Sequence, residues 1–174
     1  MVKSFGFTLV ELLITVAIAG ILLTVGVPKL SSFLQDSELI NTSNRISTLT
    51  TFARSESMKR GQQVVVCRSS NSETCSSSGY FLIVGLDAND DSNINTGETL
   101  LKITELVDSN NVSVFFKSLT NSRIVFSSKG TPDEIGTIEI CDSRGKNYAK
   151  AITLNIGGQL RHYSESERST ISCA

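Results

Sequence analysis

Glu11 is the residue whose chemistry fits its surroundings least. It interrupts an otherwise uncharged and largely apolar run from Phe7 to Val27. An ionised carboxylate there costs roughly 2.5–3.5 kcal/mol by insertion scales, so it needs a partner or a task. The position of Gly6 suggests one. In a secretory signal the small residue marking cleavage follows the apolar region, whereas Gly6 precedes it. Cleavage after Gly6 would keep the hydrophobic helix on the chain and create a free amine on Phe7. That amine can neutralise Glu11 within one chain or between neighbouring subunits. Only the second arrangement creates a subunit-to-subunit register, through a desolvated carboxylate–ammonium pair that forms on docking. A glutamate snorkelling to the membrane surface is the alternative.

Other groups could carry chemistry. Asp87, Asn89, Asp91 and Glu98 fall on ligand positions of a calcium-loop pattern. However, Ser92 stands where that loop needs Gly, and a strand-like run precedes it. The favoured reading is a solvated acidic hairpin loop, with no metal. Cys67, Cys75, Cys141 and Cys173 lack metal-ligand spacing, and His162 is the single histidine. In an exported domain such cysteines suggest two disulfides. Of the pairings possible, we expect Cys67–Cys75, which closes a short Ser-rich turn, and Cys141–Cys173, which pins the tail to a core strand. Arg161, His162, Tyr163 and Arg168, with Arg144 and Lys146, form a basic C-terminal group. Such cations contact phosphates, and the rings can stack on unpaired bases; an ordinary solvated strand end is the competing reading. No nucleophile–base pair, phosphate-cradling glycine loop or cofactor motif is visible, so neither an enzyme nor a cofactor is expected.

The elements that position these residues follow from periodicity. The chain has 174 residues, room for one membrane segment and one modest domain. Its net charge is −1, but Glu73 to Asp108 holds seven acidic residues and one basic, while Asp142 to Arg168 holds five basic and three acidic. Attraction of the whole protein to polyanions is therefore absent, and a local basic patch remains open. Phe7 to Val27 is 21 residues, about 31 Å as a helix against a hydrocarbon core of about 30 Å. Pro28 is expected to kink the helix there. Beyond it, Leu30, Phe33, Leu34, Leu39, Ile46, Leu49, Phe52 and Ala53 recur at helical spacing. Lys59 and Arg60 followed by Gly61 make a C-terminal stop. After Gly61, strand-like runs alternate with Ser, Asn, Gly and Asp: 64–68, 80–86, 99–103, 112–116, 123–126, 137–141, 151–155 and 159–163. Asn155-Ile-Gly-Gly158 reads as a hairpin turn. The expected fold class is α+β, a long N-terminal helix, half transmembrane, whose second half packs on a mainly antiparallel sheet.

Lys3-Ser-Phe-Gly6 followed by Phe7-Thr-Leu-Val-Glu11 resembles the class III leader of type IV prepilins and pseudopilins. The runs Gly79 to Val84, Asp87 to Glu98, Ile124 to Gly130, Gly136 to Cys141 and Ala151 to Arg161, with Cys67, are similar to the GspH/FimT family of minor pilins and pseudopilins. The resemblance implies a type IV pilin-like fold. It further implies a leader at 1–6, a transmembrane and assembly segment at 7–28, and a periplasmic or extracellular head at 29–174. It makes Gly6 and Phe7 the processing and methylation residues for a prepilin peptidase, and Glu11 the assembly carboxylate. The implied life history is single-pass insertion in a Gram-negative inner membrane, then incorporation beside other major and minor pilins in or near a type IV pilus tip. Two alternatives come with it: binding of double-stranded DNA during natural transformation, and a minor pseudopilin of a type II secretion system. In some family members a GRxR element in the last hairpin is associated with DNA. Only its second arginine matches, as Arg161; Gln159 occupies the first position.

Overall fold

The computed structural model describes residues 6–106 and 112–173, and the chain divides into two units, Met1–Ser37 and Glu38–Ala174. Residues 1–5 of the expected leader lie outside the described residues. Helix α1 runs Leu9–Arg60 and belongs to both units. It carries Pro28 inside its span, where the missing amide leaves the carbonyl of Thr24 without its helical donor. It ends where expected: Lys59 and Arg60 occupy the last turn, both hydrogen-bonded to Glu56, and Gly61 follows with φ +64°. Glycine takes that left-handed conformation at little steric cost.

In the second unit, α1 is followed by eight strands: β1 Val64–Ser69, β2 Phe81–Leu86, β3 Leu100–Glu105, β4 Val112–Lys117, β5 Arg123–Phe126, β6 Gly136–Asp142, β7 Lys150–Leu154 and β8 Leu160–His162. Every strand-like run of the sequence is a strand. They form two four-stranded sheets rather than one, ordered β3-β2-β1-β5 and β4-β6-β7-β8, with each adjacent pair antiparallel. Both supply the inner core. Leu39, Ile46, Leu49 and Ala53, spaced seven, three and four residues apart, make the buried stripe of α1. They cluster with Val64, Val66, Leu82, Val84 and Phe126 of the first sheet and Val114, Ile138, Ile140, Ile152 and Leu154 of the second.

Each sheet therefore has an outer face that also needs cover, because a strand sends alternate side chains to opposite sides. Val65, Cys67 and Ile83 point away from the inner core, and Ile94 of the β2–β3 loop buries them. The run Val64-Val-Val-Cys67 is apolar throughout because both its faces are buried. On the second sheet, Cys141, Ala149 and Ala151 are covered by Ile171, Tyr163 and Cys173 of the C-terminal tail. Tail and β2–β3 loop are irregular segments; a disulfide ties the tail directly, and another fixes the β1–β2 connection, whose Cys75 N–H donates to the Ile94 carbonyl.

The structure joins Cys67 to Cys75 and Cys141 to Cys173, with Cα separations of 5.6 and 5.9 Å, and these are the pairs expected from spacing. The tail has a second anchor. Glu139, 6% exposed, accepts hydrogen bonds from the backbone N–H groups of Ser172 and Cys173 and from the Ser172 hydroxyl. A half-buried arginine joins the sheets themselves: Arg68 on β1 donates to the carbonyl of Val114 on β4 and, through two nitrogens, to that of Gly79. Gly79 has φ +146°, and a Cβ there would lie 2.0 Å from the Ser69 carbonyl, so only glycine permits this approach.

In the chain-entropy account the Cys141–Cys173 bond, closing the longer loop, stabilises by about 3–4 kcal/mol and Cys67–Cys75 by about 2.5. Urea unfolding of the full chain in detergent micelles should show the larger loss for the Cys141→Ser/Cys173→Ser variant. Non-reducing peptide maps linking Cys67 to Cys141 would overturn both assignments.

Candidate functional site

The N-terminal site is built at the start of α1. Gly6, Phe7 and Thr8 are non-helical and Leu9 opens the helix. Thr8 is its cap. The Thr8 hydroxyl accepts the backbone N–H of Glu11 at 3.2 Å, and the Thr8 carbonyl accepts that of Leu12 at 3.2 Å. Thr8-Leu-Val-Glu11 has the S/T-x-x-E spacing of a capping box, a signal that is missed when Glu11 is read only as a membrane carboxylate. Glu11 therefore stands in the first turn, where the positive end of the helix dipole favours an anion.

Residues 6–27 of the first unit are exposed and, Glu11 apart, uncharged. Phe7 is 78% exposed, and the side chains from Leu9 to Val27 surround the helix without cover from the rest of the chain. The segment is long and apolar enough to cross a membrane. A helix apolar on all sides suits lipid or neighbouring helices rather than water.

The acidic loop spends its carboxylates on itself. Asp87, 3% exposed, accepts from the backbone N–H groups of Asp91 and Ser92 and from the amide of Gln63. Glu98 accepts from the N–H groups of Ala88 and Asn95, and Asp91 from the Asn95 amide. Among the described residues no group of three or more His, Cys, Asp or Glu side chains could hold a metal ion.

The basic group divides into local pairs. Arg161 on β8 makes two 2.8 Å bonds to the two oxygens of Glu167, which sits in the 3₁₀ turn Glu165–Thr170. Arg168 lies 3.4 Å from Glu165, and Arg144 is 2.6 Å from Asp142 with its guanidinium over the Tyr148 ring. Lys146 is exposed in the β6–β7 turn. His162 faces α1, its Nδ1 3.2 Å from the Ser43 hydroxyl and its Nε2 3.3 Å from that of Ser47. Tyr163 packs on the outer face of the second sheet with its hydroxyl 3.4 Å from that of Thr137. Both rings that could stack on a base are thus engaged within the fold. Sequence reasoning missed Glu167 as the partner of Arg161, although Ser164-x-x-Glu167 also has capping-box spacing, and the structure forms that box.

Glu167 is held down to about 2 by its bonds to Arg161, then by those from Ser164, while Arg161 is raised in turn by Glu167. A carboxylate depressed in the folded state contributes stability above its unfolded value, about 4.5, and loses it as pH falls toward the folded one. The carboxyl carbon of Glu167 should titrate near pH 2 by NMR, with the 164–170 turn loosening between pH 4.5 and 2. In Arg161→Gln its midpoint should move up toward 4.5.

Residues 42–158 match the family model for the type II transport protein GspH, and residues 1–27 match that for the prokaryotic N-terminal methylation motif. No curated protein sequence matches the chain. Among solved structures it is similar to the type IV minor pilin FimU of Pseudomonas aeruginosa strain PAO1. That match has a TM-score of 0.60 at 16% identity and covers 77% of this chain and 94% of that one. It is also similar to the minor pseudopilin EpsH of the type 2 secretion system of Vibrio cholerae, with a TM-score of 0.51 at 14% identity over 73% of this chain and 97% of that one. At such identities the likeness is one of fold: a long N-terminal helix packed on antiparallel sheets. With the GspH model spanning well over half of the chain and the methylation motif preceding it, the chain belongs to the GspH family of minor pilins and pseudopilins.

Proposed function

We propose that this protein is a minor pilin of a type IV pilus. A prepilin peptidase cuts it after Gly6, residues 7–28 hold it in the inner membrane, and it is then built into the fibre in or near the tip. Its role is structural and non-enzymatic. The observation that carries this reading is the first turn of α1: Glu11, capped by Thr8, lies four residues from Phe7 on a helix with no cover of its own. A methylated amine on Phe7 of one subunit can then meet the carboxylate of the next. The likeness to FimU, at the higher TM-score, supports a pilus. The match to the GspH transport-protein model and the likeness to EpsH favour the second reading, a minor pseudopilin of a type II secretion system. Gene neighbourhood separates the two. A role in DNA uptake through the tail draws less support, since Arg161, Arg168 and Arg144 each carry a carboxylate.

Mass spectrometry of the mature protein should begin at methylated Phe7; a start at Met1 or beyond Val27 would rule the processing out. Glu11→Val should insert in the membrane as well as the native chain, because a charge leaves lipid. Its incorporation into fibres should fall at least about tenfold, since leaving the ammonium unpaired costs more than roughly 1.4 kcal/mol. Normal incorporation would remove Glu11 from the mechanism.

A further inference from the structure

The second unit has a polar cleft of about 470 Å³ between α1 and β3, lined by Asn41, Asn44, Arg45, Thr48 and Leu49 of the helix and Lys102 and Thr104 of the strand. Lys102 and Thr104 pair with Val84 and Leu82, whose side chains enter the inner core, so they share the sheet face that meets the helix. β3 is the outer strand of its sheet, so among the described residues no further strand borders the cleft on that side. Leu49 is buried beneath, and the rest of the lining is polar.

Neutral groups hold its two cations. Arg45 donates one nitrogen to the Glu105 backbone carbonyl at 3.4 Å, and the Lys102 ammonium sits 5.3 Å from the centre of the Phe52 ring. Neither forms an ion pair with a carboxylate of the described residues. The contrast with the tail, where Arg161, Arg168 and Arg144 each meet an acid, is direct.

We infer that this cleft binds phosphate groups. A guanidinium and an ammonium supply the charge, one as a planar fork and one as a compact point. The Asn41 and Asn44 amides and the Thr48 and Thr104 hydroxyls supply further neutral donors. That set is larger than the two oxygens of a carboxylate can use, and it suits the three or four oxygens of a phosphate. A volume of about 470 Å³ falls in the range of small-ligand sites and admits more than a bare ion. The phosphate can come from a single-stranded nucleic-acid backbone or from a small free phosphate.

The test uses the full chain in nonionic detergent micelles at low salt. Isothermal titration is run against inorganic pyrophosphate, against a twelve-nucleotide oligothymidylate, and against an oligoglutamate of equal charge. Phosphate probes should bind, and Arg45→Gln/Lys102→Gln should weaken them at least about tenfold. Backbone amide shifts on titrating the native chain should centre on Asn41, Asn44, Thr48, Lys102 and Thr104, which locates the site even if the double variant is damaged. If the source is nucleic acid, the oligothymidylate binds more tightly than pyrophosphate. Its salt slope then falls by about 1.4 in the double variant, near 0.7 for each phosphate no longer neutralised. Equal binding of both phosphate probes, with no change of slope, assigns the cleft to small phosphates. Four results would overturn the inference. These are no binding of either phosphate probe, tighter binding of oligoglutamate (a partner protein's acidic segment), unchanged binding in the double variant, or loss of binding in Arg161→Gln/Arg168→Gln alone.

Discussion

The head depends on one stripe of α1 serving two sheets at once. Leu39, Ile46, Leu49 and Ala53 are fully buried, and the residues they meet come from both β1–β2–β5 and β4–β6–β7. Two sheets sharing one helix leave two outer faces, and a strand whose outer side chains are apolar needs a cover. Among the described residues no second α-helix supplies it. The β2–β3 loop and the C-terminal tail take that place, each with little regular structure and so little cooperative stability of its own. Hence Cys141–Cys173 and the Glu139 carboxylate hold the tail, while Cys67–Cys75 fixes the β1–β2 connection, whose Cys75 N–H donates to the carbonyl of Ile94 in the β2–β3 loop. Without these ties, ordering either segment would rest on a few apolar contacts against a backbone entropy of about 1–2 kcal/mol per residue.

The same helix meets a different demand between Leu9 and Val27, where the residues are largely apolar and Glu11 alone is charged. Capping explains how this exception is tolerated locally. A carboxylate at the third helical position lies beside the unsatisfied N–H groups of the first turn, which favour an anion even without a counter-charge. The Thr8 hydroxyl satisfies one of those groups through the Glu11 N–H. The spacing that places Thr8 as the cap thus also places Glu11 in the first turn, where an anion is favoured.

Much of this was legible in the residues. All eight strands were visible because β-branched runs are separated by Ser, Asn, Gly and Asp, and the helix end at Gly61 because the last turn is basic and glycine follows. The pairing of Cys141 with Cys173 was readable from the value of holding a tail. The division into two sheets was not, because period-two alternation says which side chains share a face and nothing about which strand lies next door. For the same reason the Arg68 staple was invisible: its partners, Val114 and Gly79, are set by topology. The pairing of Arg161 with Glu167 failed to show because it closes across a turn. Charge by segment marks the region as basic, while the fold pairs each of its three arginines with an acid.

That last point governs where this head can attract an anion. Charge on a protein surface acts through what remains after local pairing, and a bidentate arginine–glutamate contact removes both charge and donors from reach. In the tail the acids Glu165 and Glu167 lie close to the arginines they pair with. Beside β3 the group that Arg45 meets is a backbone carbonyl, which orients the guanidinium without cancelling it, and the Phe52 ring does the same for Lys102. Segment composition placed the positive patch at the C-terminus; among the described residues, the pattern of ion pairs leaves Arg45 and Lys102 without a carboxylate at the edge of the first sheet. A surface whose cations are oriented by neutral groups, beside amides and hydroxyls, is prepared for an incoming oxyanion, because little must rearrange when it arrives.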